Sequence, residues 1–178
     1  MKKITLLFVA AFMSIVLAAC SMEPGFGTKD KTSGGSSSDS VKIGFSVSTS
    51  NNPFFVTLAD AAKEQSKLSG ASITFVYAQD DASKQASDVE DLIQQEVDLI
   101  LINPVDSASV VTAVEAANKA GIPVITVDRS AEGGDVVTHI ASDNAAGGAL
   151  AGEYLLSLVE EGAQVAMLEG VAGSSAAV

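Results

Sequence analysis

The strongest constraint on the fold is an alternation of short β-branched runs with longer segments of helical periodicity, which starts at residue 41. Such strand–helix–strand units join parallel strands by right-handed crossovers, which place helices on both faces of one sheet. The sequence therefore predicts an α/β fold, an open, doubly wound parallel sheet. The predicted strands are 42–48, 72–78, 99–102, 122–127, 136–141 and 165–169, and the predicted helices are 53–70, 81–97, 107–120 and 144–161.

The spacing of apolar residues separates the two kinds of element. Ile43, Phe45 and Val47 alternate at period two, as in a strand, and the uninterrupted apolar run at 99–102 is typical of a strand buried on both faces. Spacings of three and four mark the helices, and Gly70 is placed to end the first of them. In the first helix the recurring residues are Phe54 or Phe55, Leu58, Ala61 or Ala62, Gln65 and Leu68, and in the second the apolar face is Ala86, Val89, Leu92, Ile93 and Val97.

The first 19 residues are typical of an export signal. Lys2 and Lys3 precede an uncharged apolar run from residue 4 to residue 19, which ends in small residues. This run is shorter than the roughly 20 residues that a membrane-spanning helix usually needs. We therefore expect residues 1–19 to be a signal peptide that is removed, with an uncleaved membrane anchor as the alternative.

Cys20 is the only cysteine in the sequence, so no disulfide can form within one chain. The segment from Leu17 to Cys20 resembles the bacterial lipobox, a signal whose cysteine is acylated and becomes the mature N-terminus. We expect lipidation at Cys20, with an unmodified thiol as the alternative. Each buried CH₂ contributes about 0.8 kcal/mol, so several acyl chains would hold the protein on a membrane surface. The expected location is the outer face of the cell membrane, the periplasmic side where an outer membrane is present.

Residues 20–40 are expected to form a Ser/Gly-rich tether behind this lipid anchor. Six serines and four glycines occupy positions 21–40, which offer almost nothing to bury. Such a segment would let a folded domain move relative to the membrane and reach a membrane neighbour.

Polar and aromatic side chains follow the first, third and fourth predicted strands at their carboxyl ends. Ligands of open α/β sheets bind in the crevice beyond these ends, so we expect the side chains to meet there. Amides, a carboxylate and a guanidinium exchange hydrogen bonds with vicinal hydroxyls, while an aromatic face covers the C–H groups of a sugar ring. The pattern favours a sugar site. Its candidate residues are Asn52, Phe54, Phe55, Asn103, Asp128 and Arg129.

Each candidate also has a structural interpretation. Asn52 can cap a helix that begins at Pro53, and Asn103 can form a turn before its proline. Asp128 and Arg129 can form an ion pair that ties the strand end to a loop. The two phenylalanines can belong to the core. Since adjacent residues at a helix start cannot both face one direction, at least one ring is free to face the crevice.

No catalytic residue, metal site or cofactor is expected. The GxGxxG, P-loop and GxSxG motifs are absent, and His139, the only histidine, lies in a predicted strand, where we expect a structural role. Gly147, Gly148 and Gly152 fall in a helical segment, where close packing explains them better than phosphate binding. The formal net charge of −12 argues against a nucleic-acid partner, because phosphate binding requires clustered lysine and arginine.

Four strings of sequence resemble one protein family. STSNNPFF, LINPVDS, VITVDRSA and HIASDN, in this order and spacing, resemble the ribose-binding members of the sugar-binding branch of the periplasmic binding protein superfamily. The resemblance extends from about residue 41 to residue 177. It implies capture of a sugar, D-ribose, for the membrane permease of an ABC importer. It also implies that the six crevice residues bind the ligand and that Ser142, Asp143 and Asn144 form a hinge.

The resemblance further implies how the chain is divided. Residues 41–142 match the N-terminal sugar-binding lobe, and residues 143–178 match the start of a second lobe. Because family members are longer, two-domain proteins, we expect the first domain to be nearly complete and the second to be truncated. A non-transport receptor for a sugar-like signal, such as an autoinducer or chemoreceptor ligand, is the alternative function. A sugar-responsive transcription regulator would carry a basic helix-turn-helix where this chain has an export signal.

Overall fold

The computed structural model describes residues 40–177, in which strands and helices alternate as the sequence predicts. The predicted signal peptide, the lipidation site Cys20 and almost all of the tether lie outside the described residues. The elements are β1 (Lys42–Val47), α1 (Pro53–Ser69), β2 (Ser72–Tyr77), α2 (Ala82–Gln94), β3 (Leu99–Ile102), α3 (Val111–Lys119), β4 (Val124–Val127), β5 (Thr138–Ile140) and α4 (Asn144–Leu158).

The five strands form one parallel sheet in the order β2-β1-β3-β4-β5. Phe45 of β1 lies between Phe75 of β2 and Leu101 of β3. The chain leaves β1 toward β2 on one side and returns through β3 on the other, so the direction of winding reverses between β1 and β3. The predicted α/β class and doubly wound parallel sheet are confirmed. The reversal leaves a crevice at the carboxyl ends of these two strands.

The core has two parts, one on each face of the sheet. Helices α2 and α3 cover one face, where Leu92 and Val114 are fully buried against Ile100 of β3. Helix α1 covers the other face, where Phe55 packs with Phe45. The continuous apolar run of β3 supplies side chains to both faces, as its composition predicts.

The buried face of α1 includes only some of the residues that recur at helical spacing. Phe55, Ala59 and Ser66 are buried, whereas Leu68 is 81% exposed. Once Phe55 faces the sheet, helical spacing carries positions 59 and 66 inward and position 68 outward. Leu68 and Gln65 recur at helical spacing in the sequence but are exposed in the structure. Gly70 does end the helix, with a left-handed φ of 74°.

Helix α3 begins at Val111 and not at residue 107 as predicted. Residues 107–110 form a turn in which the Asp106 carboxylate accepts hydrogen bonds from the backbone N–H groups of Ala108 and Ser109, at 3.1 and 2.6 Å. The aspartate thus stabilises the turn, and the helix begins only after it, at Val111. The pKa of Asp106 is lowered mainly by hydrogen bonds from the backbone and the hydroxyl of Ser109. The backbone hydrogen bond from Ala108 lowers this pKa to a smaller extent.

The predicted strand at 165–169 is not a strand in the structure. A strand needs a neighbour to pair its backbone groups, and none of the strands within residues 40–177 lies alongside this segment. A short, mostly apolar run was therefore insufficient to identify a strand.

Helix α4 has apolar side chains around its whole circumference, yet it buries none of them within the described part of the chain. Tyr154 is 68% exposed and Leu156 is 74% exposed. The expected close packing at Gly147, Gly148 and Gly152 is not observed there either, since a methyl group at any of them would meet no atom within 4 Å. Between residues 40 and 177, none of the helices combines the length and hydrophobicity needed to cross a membrane.

Candidate functional site

A cavity of about 310 Å³ lies at the carboxyl ends of the strands. Residues that follow β1 and β4 form one side of it, and a segment near the end of the described chain forms the other. The first side consists of Asn52, Phe54, Phe55, Asp128 and Arg129, and the second of Gly170, Val171, Ser174, Ala176 and Ala177. The structure thus brings together five of the six predicted ligand-binding residues.

Asn52 both caps α1 and lines the cavity. Its side-chain Oδ1 accepts a hydrogen bond from the Phe54 backbone N–H at 3.0 Å, and Pro53 occupies the first turn, where a missing N–H costs nothing. The side-chain NH₂ group has no partner within residues 40–177 and Asn52 is exposed. Capping fixes the orientation of the amide, which leaves its two N–H donors available to a ligand.

The two adjacent phenylalanines face different environments. Phe55 is 2% exposed and packs in the core, whereas Phe54 is 55% exposed. Their ring centroids are 5.6 Å apart in an edge-to-face arrangement. Phe54 therefore offers an open aromatic face, while Phe55 joins the cavity to the core.

Arg129 is held from two sides. Its Nη1 donates hydrogen bonds to the backbone carbonyls of Pro104 at 3.1 Å and Val105 at 3.4 Å, and the guanidinium carbon lies 5.0 Å from the centroid of the Phe55 ring. The residue is only 8% exposed. In the described part of the chain, every side-chain nitrogen or oxygen that is shielded from solvent has a hydrogen-bond partner. No partner is found for Nε or Nη2 of Arg129, so these two atoms are not shielded from solvent. These remaining N–H groups are therefore accessible to a ligand.

Asp128 has a left-handed backbone with a φ of 65°. In an extended strand consecutive side chains point to opposite faces, but this conformation at the end of β4 lets both Asp128 and Arg129 line the cavity. A non-glycine residue in this region costs about 1–2 kcal/mol, and such strain concentrates at functional sites. Within residues 40–177 its carboxylate has no salt bridge and no hydrogen bond, so the predicted alternative of an Asp128–Arg129 ion pair is not formed.

Asn103 is fully buried and does not line this cavity. Its Oδ1 accepts hydrogen bonds from the backbone N–H and hydroxyl of Ser48, at 3.2 and 2.6 Å, and its Nδ2 donates to the Val127 carbonyl at 3.1 Å. The side chain thus joins the ends of β1, β3 and β4 behind the cavity wall. This position differs from the predicted one, in which Asn103 faced the crevice.

Gln85 of α2 lies behind the site, and it was not among the residues predicted from the sequence. It is 2% exposed, and its side chain hydrogen-bonds to Ser46, to the backbone of Asn103 and to the backbone of Val105. Its position relative to Val89 and Leu92, four and seven residues further on, places it on the buried face of the helix. A polar residue at the helical spacing of buried apolar residues could have indicated a buried hydrogen-bonding role from the sequence alone.

Three hydrogen bonds connect segment 170–177 to the loops that follow β3 and β4. Ser107 donates from its backbone to the Gly173 carbonyl at 2.9 Å, and its hydroxyl accepts from the Ser175 backbone at 3.1 Å. The Ser175 hydroxyl accepts from the Ser130 backbone at 2.8 Å. A methyl group at Gly173 would overlap the Asp106 carboxylate, and the φ of 78° also favours glycine. This segment closes the cavity on the side opposite Asn52.

The predicted hinge residues lie at the junction of β5 and α4, where Ser142 and Asp143 precede the helix and Asn144 is its first residue. Asp143 caps α4 by accepting a hydrogen bond from the Ala146 backbone N–H at 2.9 Å. Ser142, Asp143 and Asn144 line a neighbouring cavity of about 430 Å³, which shares Asp128 with the first. These contacts show where the three residues lie. Their role as a hinge stays a prediction.

His139 lies in β5, with Nδ1 2.9 Å from the hydroxyl oxygen of Thr126 in the neighbouring strand. This contact agrees with the expected structural role. Within residues 40–177, no group of three or more histidine, cysteine, aspartate or glutamate side chains is arranged to hold a metal ion.

Comparison with known proteins relates the chain to solute-binding proteins. A family model described as periplasmic binding protein domain matches residues 43–178. The ribose import binding protein RbsB of Bacillus subtilis is 52% identical over 161 residues, which cover 90% of this chain and 52% of that protein. The protein of the same name from Escherichia coli K12 is 42% identical over 177 residues, covering 99% of this chain and 54% of that protein. The chain thus spans about half the length of the curated relatives it matches.

A solved structure agrees with this relation. An ABC transporter solute binding protein from Mycobacterium smegmatis, with bound glycerol, has a TM-score of 0.74 and 39% sequence identity. The alignment covers 78% of this chain and 48% of that chain.

Proposed function

Since this chain belongs to the periplasmic binding protein family, we propose that it is part of an extracytoplasmic solute-binding lipoprotein that captures a sugar, D-ribose, for an ABC importer. The protein binds and releases its ligand without changing it chemically. Its partners are the sugar, the membrane permease of the importer and, through the lipid at Cys20, the membrane itself.

The observation that carries this proposal is the cavity lined by Asn52, Phe54, Phe55, Asp128 and Arg129. Ligand sites usually enclose about 300–1,000 Å³, so a cavity of about 310 Å³ suits a small molecule such as a monosaccharide. It combines an aromatic face with donors and an acceptor that have no partner in the described part of the chain. This combination matches the alternating C–H and hydroxyl groups of a sugar.

Asp128 and Arg129 supply the charge-assisted hydrogen bonds. The carboxylate accepts from sugar hydroxyls, and the free N–H groups of Arg129 donate to sugar oxygens. Because the guanidinium of Arg129 is already held by Pro104, Val105 and Phe55, ligand binding need not order it. Asn52 adds a neutral donor pair, and Phe54 covers the ring.

Ribose is the proposed sugar because the relatives with 52% and 42% identity are both named ribose import binding proteins. We further propose that residues 41–142 form the first lobe, that residues from 143 onward begin a second lobe, and that Ser142, Asp143 and Asn144 form the hinge between them. The cavity wall from segment 170–177 would then belong to the second lobe.

Isothermal titration tests the ligand. We expect the full chain to bind D-ribose with one site, and to bind D-arabinose and D-xylose at least tenfold more weakly. Each epimer misplaces one hydroxyl and so leaves a buried polar group unpaired, at a cost of about 1–3 kcal/mol. Equal affinity for all three pentoses would contradict the assignment of ribose, and no binding of any monosaccharide would contradict the sugar site.

A second prediction concerns the anchor. The Cys20→Ala variant should lose the lipid and should not mature at this position, because the alanine cannot be acylated. Membrane fractions and the mass of the mature N-terminus measure both effects, with Ser21→Ala as the matched control that leaves the cysteine in place. The assignment would fail if the Cys20→Ala variant remained in the membrane fraction and was cleaved like the wild type.

A further inference from the structure

A buried polar network lies directly behind the cavity wall. Gln85 is its centre, and its side-chain Nε2 donates to the hydroxyl of Ser46 at 3.2 Å and to the Asn103 carbonyl at 3.0 Å. Its Oε1 accepts from the Val105 backbone N–H at 2.8 Å. Gln85 therefore brackets Pro104, because it bonds to the backbone on both sides of this residue.

One peptide plane connects this network to the site. The N–H of Val105 and the carbonyl of Pro104 belong to the same planar trans peptide unit, so they point in opposite directions. The N–H points to Gln85, and the carbonyl accepts from Nη1 of Arg129 at 3.1 Å. Fixing one end of this plane therefore fixes the direction of the other.

The side chain of Asn103 connects the loop after β3, which contains Pro104 and Val105, to the neighbouring strand ends. Its side chain joins Ser48 at the end of β1 to the carbonyl of Val127 at the end of β4, two residues before Arg129. Both the acceptor of the guanidinium and the strand that precedes Arg129 are thus connected to one group of buried amides, in which each side-chain nitrogen and oxygen has a hydrogen-bond partner.

We propose that Gln85 is a positioning residue for sugar binding, which orients the guanidinium of Arg129 through the Pro104–Val105 peptide plane. This inference rests on the proposed function, since it assigns Arg129 to the ligand. Gln85 itself does not line the cavity and does not touch the sugar. An apolar residue at position 85 would pack equally well in the core of α2, but it would leave the Val105 N–H and the Asn103 carbonyl unpaired.

The experiment compares Gln85→Met with Gln94→Met in the full chain. The two substitutions are the same and lie on the same helix, but Gln85 is buried and Gln94 is exposed. We expect Gln85→Met to weaken ribose binding by about tenfold, the effect of one net hydrogen bond, and Gln94→Met to leave it within twofold. The stoichiometry should remain one site in both variants.

A readout in the sugar-free protein separates positioning from general destabilisation. Side-chain ¹⁵N NMR of Arg129 should show slow rotation of the guanidinium in the wild type and in Gln94→Met, and faster rotation in Gln85→Met. Gln85→Glu keeps the acceptor for the Val105 N–H, and its protonated carboxyl keeps a donor for the Asn103 carbonyl, so this variant should restore slow rotation at a pH at which the buried carboxyl is protonated. If Gln85→Met does not fold, Gln85→Asn replaces it, because its shorter amide remains polar but does not reach Val105.

Unchanged rotation of Arg129 in a folded Gln85→Met or Gln85→Asn variant would overturn the proposal, even if the variant were less stable. Wild-type affinity for ribose in that variant would overturn it as well. If the wild type bound no sugar, the proposed function would fail, and the rotation measurement would still decide whether Gln85 orients Arg129.

Discussion

Replacing Asp128 by asparagine should weaken ribose binding by about 10- to 150-fold, the range that corresponds to one hydrogen bond to a charged group at about 1.5–3 kcal/mol. The carboxylate is half-buried, lines the cavity and has no partner within residues 40–177, so its bonding capacity is free for the ligand. Asparagine keeps the shape of the side chain but replaces one acceptor oxygen with a donor. A sugar hydroxyl that donates to that oxygen would lose its partner.

The backbone at Asp128 makes asparagine the informative substitution. With a φ of 65°, the residue lies in the left-handed region, which asparagine tolerates and alanine does not. Asp128→Asn should therefore change the free energy of unfolding little, whereas Asp128→Ala should also destabilise the fold. Isothermal titration and denaturant unfolding measure the two effects. Glu115→Gln removes the same charge from the exposed side of α3 and serves as the control. If Asp128→Asn weakened ribose binding less than threefold, the assignment of Asp128 as a ligand-binding residue would be wrong.

The sheet could be predicted from the sequence because the patterns that indicate its strands and helices involve residues close together in the chain. Periodicity within 99–102 and in the helices on either side depends on residues close in the chain, so the parallel α/β class followed from the pattern alone. The segment at 165–169 shows the limit of this reasoning. It is a short, mostly apolar run that follows a predicted helix, but strand formation depends on a neighbour distant in sequence, and the local pattern does not identify one.

The site could be predicted only to the level of its location. The carboxyl ends of the strands brought Asn52 and Asp128 to one cavity, as strand topology requires. Asn103 also follows a strand, yet its amide is bonded to Ser48 and Val127 and lies behind the wall. Gln85 was missed for the complementary reason, since a search for apolar residues on a helix face passes over a polar residue in the same register. In both cases hydrogen-bond partners far apart in sequence decide the role.

The pair Phe54 and Phe55 provides the second large effect, on stability rather than affinity. Phe55→Ala should lower the free energy of unfolding of the full chain by about 3–5 kcal/mol, because it removes a fully buried ring and leaves a cavity in the core beside Phe45. Phe54→Ala should change it by less than about 1 kcal/mol, since that ring is 55% exposed. Denaturant unfolding of both variants measures the difference.

Affinity for ribose should respond differently in the same two variants. Phe54→Ala removes an open aromatic face from the cavity, so it should weaken binding severalfold in a protein of nearly wild-type stability. Phe55→Ala removes the ring beneath the guanidinium of Arg129, and should weaken binding as well, but only together with its loss of stability. Phe55→Leu, which refills most of the core without restoring a π face, separates these two contributions. If Phe54→Ala were the more destabilising of the two alanine variants, the assignment of Phe55 to the core and Phe54 to the crevice would be reversed, and with it the support inferred for Arg129.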